Sequence, residues 1–168
     1  AMLERIESII TKTQDFQEFE SKAKSENLAK TIMLISKDSD YSYEFAKLLS
    51  CLIFDGEKQD SENYAKVRAN SHPDLKIYPN KERLLVADSE DIVFESSVKP
   101  IFASKKVFII RDIDKGMEAA QNKLLKTLEE PEKIDSQISV QNNISFKNDK
   151  GEIVNMNDLK GKVVFINF

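Results

Sequence analysis

The chain of 168 residues is poor in the side chains that most often build metal and catalytic sites. Its only cysteine is Cys51, so neither an internal disulfide nor a cysteine-rich zinc site can form. Its only histidine is His72, which excludes mechanisms that need two imidazoles and histidine-rich metal cages. We therefore predict no metal ion and no cofactor, and we assign no catalytic residue.

Long apolar runs are missing as well. No stretch approaches the roughly 20 apolar residues of a membrane span, and the first residues lack a basic-then-apolar signal pattern. The sequence thus predicts a cytoplasmic protein without membrane contact. With 40% hydrophobic and 32% charged residues and only four glycines and four prolines, it is typical of a globular chain with a core.

An excess of basic residues is also absent. The formal net charge is −4, which repels phosphate backbones unless basic residues concentrate on one face. We therefore expect contact with DNA only indirectly, through a protein complex. From Ile134 onward four lysines balance four acids, so the acidity belongs to residues 1–133, and the chain divides into two unlike segments.

Hydrophobic periodicity predicts alternating strands and helices. Apolar runs of strand length occupy Thr31–Ser36, Leu75–Tyr78 and Lys106–Ile110. Helical spacing predicts an exposed amphipathic helix over 16–30, a helix over Tyr43–Phe54, and a helix after Gly116 with a stripe of Met117, Ala120, Leu124 and Leu128. Ser8–Thr11 fits either a strand or a helix. This alternation predicts an α/β fold with a three-layer parallel sheet.

One further helix is predicted to begin at Ser89. Phe94, Val98, Ile101 and Phe102 would form its apolar face, and Pro100 would kink it.

Three segments carry a specific family resemblance. His-Pro-Asp-Leu-Lys at 72–76, Ala-Ser-Lys-Lys-Val-Phe-Ile-Ile at 103–110 and Ala-Gln-Asn-Lys-Leu-Leu-Lys-Thr-Leu-Glu-Glu-Pro at 120–131 closely resemble the delta-prime and gamma/tau subunits of the bacterial DNA polymerase III clamp loader. The resemblance covers most of residues 30–132. It implies an N-terminal AAA+ domain and a role in loading the sliding clamp during DNA replication.

The resemblance also implies a phosphate loop after the first strand, where this chain has residues 36–42. ATPases of this type need glycines there, so that backbone N–H groups can approach the phosphates, and a lysine that neutralises them. Here the stretch has no glycine and two acids, which predicts a degenerate P-loop with Lys37 as its remaining cation. Cys51 stands where the family's first zinc cysteine would, but without its partners we expect it to pack as a small apolar residue.

Two further positions of the family pattern carry candidate site residues. Asp112 and Asp114 stand in the place of the Walker B acids and are candidates for nucleotide binding, although Ile113 separates them and ion pairing or capping is an alternative. Lys123 and Lys126 are candidates for contact with partner subunits. The alternative for these lysines is solvated helix charge paired with Glu129 or Glu130.

The last segment resembles a different family. Residues 144–168 resemble the start of thioredoxin-like proteins of the peroxiredoxin and cytochrome-maturation type, with a hairpin turn at 149–151 and a buried strand over Lys162–Phe168. A chimeric chain follows, with an incomplete clamp-loader domain at 1–133, a junction at 134–142 and a truncated thioredoxin-like fragment at 143–168. We expect the final strand to join the first sheet beside Lys106–Ile110, or to pair with the same strand of a second copy, because an unpaired strand of that composition would aggregate.

These observations predict a non-catalytic, delta-prime-like module that assembles with other clamp-loader subunits of the AAA+ type. One alternative is a weak ATPase of the gamma/tau type that uses Lys37 and Asp112. A thioredoxin-like oxidoreductase is a third reading, which the single cysteine opposes because dithiol chemistry needs two.

Overall fold

The computed structural model of the chain describes residues 2–35, 38–55, 62–129, 146–147, 153–154 and 162–167. The helices within these ranges are α1 (Met2–Lys12), α2 (Gln14–Lys24), α3 (Ser39–Asp55), α4 (Glu62–Arg68), α5 (Val86–Ser96) and α6 (Glu118–Glu129), with a short 3-10 turn at Ile113–Lys115. The strands are β1 (Thr31–Ile35), β2 (Leu75–Tyr78), β3 (Val107–Ile110), β4 (Phe146–Lys147), β5 (Ile153–Val154) and β6 (Lys162–Asn167).

The main sheet has four strands in the order β1-β6-β3-β2. β2 and β3 run parallel, whereas β6 lies between β1 and β3 and runs antiparallel to both. The α/β prediction is correct, but the prediction of a wholly parallel sheet is wrong. The sheet is mixed because its central place is filled by a strand from the end of the chain, which enters in the opposite direction.

The expected joining of the final strand to the first sheet is confirmed. Val164 and Phe165 of β6 lie opposite Ile110 and Ile109 of β3, and on the other side opposite Met33 and Ile32 of β1. Side chains 163–166 of β6 have no exposed surface. β1 and β3 are therefore parallel near neighbours rather than adjacent strands.

Both faces of the central strands are buried. One face of the sheet joins α1, α2 and α3 in a core cluster that includes Ile32, Val107, Ile109 and Phe165. The alternate residues of β3 point to the other face and are equally buried. Strands covered on both faces read as continuous apolar runs, which explains why these segments were recognisable in the sequence.

The N-terminal helices pack on this core. α1 includes Ser8–Thr11, so the ambiguous run is helical. α2 starts where Thr13 accepts a hydrogen bond from the Phe16 N–H at 3.2 Å, and it ends at Lys24 rather than at Lys30. Phe16 is buried edge-on against Phe45 of α3, with ring centroids 5.3 Å apart. The helix predicted to be exposed thus buries one aromatic face.

The helix predicted to start at Ser89 differs most from the structure. α5 begins at Val86, where Asp88 accepts a hydrogen bond from the Leu85 N–H at 2.8 Å, and it ends at Ser96. Ser89 lies inside the helix and donates to the Ala120 carbonyl at 2.7 Å, which joins α5 to α6. Val98, Ile101 and Phe102 lie beyond the end of α5, so the prediction that they share one helix face with Phe94 is wrong.

The remaining elements agree in part. α3 covers the predicted Tyr43–Phe54 helix, and α6 buries Ala120 and Leu124 as its stripe predicts. Met117 precedes α6 and is 39% exposed, and the side chain of Leu128 lies outside the described residues. α4 was not predicted. β4 and β5 pair as an antiparallel hairpin around residues 148–152, which are not described.

Candidate functional site

The predicted phosphate loop lies between β1 and α3. β1 ends at Ile35 and α3 begins at Ser39, so only three residues separate the strand from the helix. Asp38 caps the helix: its side-chain Oδ1 accepts the Asp40 N–H at 2.9 Å, and its carbonyl accepts the Ser42 N–H at 3.3 Å. Helix N-termini bind phosphate through backbone N–H groups of the first turn, which have no partner within the helix. Here the protein's own carboxylate occupies one of them.

A second carboxylate in the same turn is paired with an arginine. The Nη2 of Arg111, which follows β3, donates to Oδ1 of Asp40 at 2.7 Å. The guanidinium also lies over the Tyr43 ring, 4.1 Å from its centroid, and the Arg111 N–H donates to the Tyr78 carbonyl at 2.8 Å. Arg111 therefore connects the end of the sheet to the start of α3.

Two cationic side chains lie close to the Tyr43 ring. Lys47 lies 4.9 Å from the ring centroid, in addition to Arg111. Burial raises the pKa of the Tyr43 hydroxyl, and the nearby guanidinium only partly offsets this. The hydroxyl is thus a neutral hydrogen-bond donor at physiological pH.

Two of the three predicted nucleotide-binding residues, Asp112 and Asp114, lie in the described part of the chain, just after β3. Asp112 has left-handed backbone angles, φ 48° and ψ 46°, and precedes the 3-10 turn. Asp114 lies within that turn, and the side chain of Ile113 between them is buried in the core. Lys37 lies outside the described residues.

Sequence reasoning noticed the acids of this loop but missed their partners. Asp38 and Asp40 were recognised only as charges that oppose a phosphate. The pairing of Arg111 with a residue 71 positions earlier has no local signal in the sequence. Among the described residues, the buried Nε of Arg111 and Oδ1 of Asp114 have no hydrogen-bond partner.

A second feature is a surface of exposed apolar side chains, which we name the apolar patch: Phe94, Val98, Ile101 and Phe102. Their exposed fractions run from 40% for Val98 to 72% for Ile101. All four lie within nine consecutive positions, between the last turn of α5 and the loop before β3. Exposed apolar residues concentrated in this way are characteristic of protein interaction surfaces.

Charged side chains border and support the apolar patch. Lys66 of α4 lies over the Phe102 ring, 4.1 Å from its centroid. Lys106 is buried and donates to both the Glu95 carboxylate, at 2.5 Å, and the Glu95 carbonyl, at 2.9 Å. Lys99 and Lys105 are exposed, and no acid occurs between positions 97 and 105. The loop side of the patch is therefore basic.

The two lysines proposed for partner contact lie on α6. Lys123 pairs with Glu90 of α5 at 3.2 Å, and this pair links α5 to α6 at the surface. Lys126 is exposed.

The lone cysteine and the lone histidine are both buried. Cys51 belongs to the core cluster, as predicted. The His72 ring stacks on Phe54 with centroids 4.0 Å apart. In the ranges that the structure describes, no three acidic, histidine or cysteine side chains cluster as metal ligands would, and no helix could cross a bilayer.

Comparison with known proteins supports the sequence resemblance. The family model described as DNA polymerase III, delta subunit, matches residues 11–144, which is more than half of the chain. No curated protein and no solved structure matched the chain. The match includes α3, the Asp40–Arg111 pair and the apolar patch, and it ends before β6. The chain therefore belongs to the DNA polymerase III delta subunit family, the clamp-loader proteins of DNA replication.

Proposed function

We propose that this chain is a delta-prime-like, non-catalytic module of the clamp loader, which acts by assembling with AAA+ partner subunits. The observation that carries this proposal is the state of the α3 N-terminus. Asp38 already caps it, and Asp40 already holds the one arginine that reaches it. A phosphate entering this turn would meet two carboxylates, of which one already caps the helix and the other already pairs with Arg111.

The electrostatic cost supports the same conclusion. A phosphate would have to compete with the Asp40 carboxylate for the Arg111 guanidinium, and both acids of the turn would repel it. The three residues between β1 and α3 also leave little chain to wrap a phosphate. We therefore interpret the loop as a degenerate P-loop.

Calorimetric titration of the full chain with Mg-ATP tests this proposal. We expect no saturable heat at concentrations up to about a hundred times the micromolar affinities typical of nucleotide sites. Saturable binding that disappears in Lys37→Ala, but persists in the exposed control Lys22→Ala, would instead favour the weak ATPase.

Assembly needs a contact surface, and we propose the apolar patch for this role. Its exposed aromatic and aliphatic side chains and its basic loop fit a clamp-loader subunit whose own contact surface is apolar with an acidic margin. Lys126, exposed on α6, is a proposed additional contact. The resemblance of residues 144–168 to thioredoxin-like proteins and the division into domains at 133 and 143 remain predictions.

Binding to the other clamp-loader subunits of the same organism, purified without this chain, tests the patch. The double variant Ile101→Ala/Phe102→Ala should bind at least about tenfold more weakly, because exposed aromatic anchors dominate interface energetics. Ile9→Ala is the matched control, since Ile9 is an exposed apolar residue on α1. Equal affinity of the double variant and the wild type would refute this surface.

A further inference from the structure

The carboxylate of Asp74 is buried beneath the loop that carries two residues of the apolar patch. Its oxygens accept hydrogen bonds from three consecutive backbone N–H groups: Ile101 at 2.6 Å, Phe102 at 2.7 Å and Ala103 at 2.6 Å. Asp74 has no exposed surface. One buried side chain thus fixes the main chain of the loop at three successive residues.

The main chain of Asp74 holds the end of the same loop. Its carbonyl accepts the Val107 N–H at 2.9 Å, where the loop enters β3. The loop is therefore fixed in its middle by the side chain and at its end by the backbone of a single residue.

Asp74 is itself held by His72. Nδ1 of His72 accepts the Asp74 N–H at 3.0 Å, and Nε2 lies 2.7 Å from Oδ1 of Asn63. An accepting Nδ1 assigns the proton to Nε2, which then donates to Asn63. Because the ring is also stacked on Phe54, the backbone of Asp74 has a rigid support.

The surroundings of the Asp74 side chain favour its ionised form. Burial alone would raise its pKa, but the three backbone N–H groups lower it below its usual value. The carboxylate is therefore ionised at neutral pH, and each of its bonds to the loop is charge-assisted.

The residues that Asp74 holds are exposed rather than buried. Ile101 and Phe102 are 72% and 67% exposed, although the backbone that carries them is fixed. A loop with two large apolar side chains would normally gain by turning them inward, away from water. The three hydrogen bonds oppose this change and keep both side chains directed toward the solvent.

We propose that Asp74 is a positioning residue for partner docking, which presents Ile101 and Phe102 in their binding conformation. This inference rests on the proposed role of the apolar patch. Asp74 does not contact the partner. It orders the loop before binding, so that the complex does not lose that conformational entropy on association.

The test compares Asp74→Asn with the wild type in binding to the purified clamp-loader partner subunits. The amide keeps the size of the side chain but replaces one acceptor oxygen with a donor that faces backbone N–H groups. We expect affinity to fall about tenfold, since several loop residues then have to be ordered on binding. Amide hydrogen exchange at positions 101–103 should become faster.

A double-mutant cycle separates positioning from simple stabilisation of the fold. If Asp74 acts through Phe102, adding Asp74→Asn to Phe102→Ala should weaken binding less than it does in the wild type. Leu49→Ala is the stability control: it destabilises the core but leaves the loop hydrogen bonds in place, so the folded fraction should bind normally.

Ala103→Pro provides a second test if Asp74→Asn does not fold. It removes one of the three donors and leaves the carboxylate with the other two, and a severalfold loss of affinity is expected. Unchanged affinity of a folded Asp74→Asn or Ala103→Pro, with weakened binding by Phe102→Ala, would overturn the positioning role and leave the docking surface intact. Unchanged binding by Phe102→Ala would refute the docking surface itself.

Discussion

Arg111 and Asp40, 71 positions apart in the chain, meet through a 2.7 Å hydrogen bond that joins the end of β3 to the first turn of α3. Their side chains are 30% and 81% exposed, so the pair is partly screened by water. Arg111 also lies on Tyr43, which adds a contact that does not depend on the carboxylate.

Arg111→Ala should therefore lower the free energy of unfolding by about 1–2 kcal/mol, as the sum of a surface ion pair and a cation–π contact. Asp40→Asn should cost only about 0.5 kcal/mol, because it leaves the ring contact in place. Urea denaturation of both variants measures the difference. A larger loss in Asp40→Asn than in Arg111→Ala would contradict this assignment.

The buried pair of Lys106 and Glu95 should matter more. Lys106 is 4% exposed, and its removal leaves the Glu95 carboxylate, 19% exposed, without its cation. Lys106→Met should lower the free energy of unfolding by about 3 kcal/mol, whereas Lys105→Met, at the exposed neighbouring position, should change it by less than about 0.5 kcal/mol. Equal effects of the two variants would show that the pair does not stabilise the fold.

The same pair should also make the stability of the protein depend on pH in the acidic range. The hydrogen bond and charge of Lys106 lower the pKa of Glu95 against the effect of its burial. A carboxylate whose pKa is depressed by folding stabilises the protein above its unfolded value of about 4.3, and this contribution is lost as the pH falls through the folded pKa. Lys106→Met should flatten that part of the acid denaturation curve. Identical acid denaturation curves for the wild type and Lys106→Met would contradict this prediction.

All four tyrosines should titrate at higher pH in the folded than in the unfolded protein. Burial raises the pKa of Tyr41, Tyr43, Tyr64 and Tyr78. The pKa of Tyr64 is raised to about 12, because its hydroxyl is buried and also donates a hydrogen bond to the Glu7 carboxylate. Because folding favours the neutral phenol, the tyrosines stabilise the protein fully below the unfolded pKa of about 10 and lose this contribution as the pH rises above it.

Ultraviolet absorbance of tyrosinate, recorded against pH with and without urea, checks this prediction. Tyr78, whose pKa is raised by burial and by its hydrogen bond to Asp91 at 2.5 Å, provides the matched variant. In Tyr78→Phe the loss of stability above about pH 10 should be less steep. A folded protein in which any tyrosine titrates near pH 10 would disagree with these environments.

The final strand should be essential for the stability of the sheet. Phe165 has no exposed surface and lies between β1 and β3, so Phe165→Ala should cost about 3–5 kcal/mol. Phe94→Ala is the matched control, because Phe94 is 63% exposed, and it should cost less than about 0.5 kcal/mol. Denaturant midpoints decide between them. If both variants behaved like the wild type, the last strand would not belong to the folded sheet.

The strands could be predicted from the sequence because each is a short, continuous apolar run, and burial on both faces leaves that signature. The direction of β6 could not be predicted, since the same alternation of side chains fits a parallel or an antiparallel neighbour. The joining of β6 to β3 was nevertheless inferred, because an apolar strand needs a partner.

The apolar patch shows why the helix predicted to begin at Ser89 differs from the structure. Phe94, Val98, Ile101 and Phe102 have helical spacing, so periodicity predicted one apolar face of a helix. The chain leaves the helix at Ser96, and the backbone N–H groups of residues 101–103 donate to Asp74, which is 27 positions before Ile101. A hydrogen bond across that separation has no local sequence signal, although Pro100 marked the break.

The position of β6 also fixes the order in which the sheet can be completed. The side chain of Asn167 donates to the Ala29 carbonyl across 138 positions of the chain, next to the start of β1. During synthesis β1, β2 and β3 emerge long before the strand that separates two of them. Folding through such distant contacts is slow, and a nascent chain exposes its unpaired strands meanwhile. Chaperone dependence would follow from the topology alone.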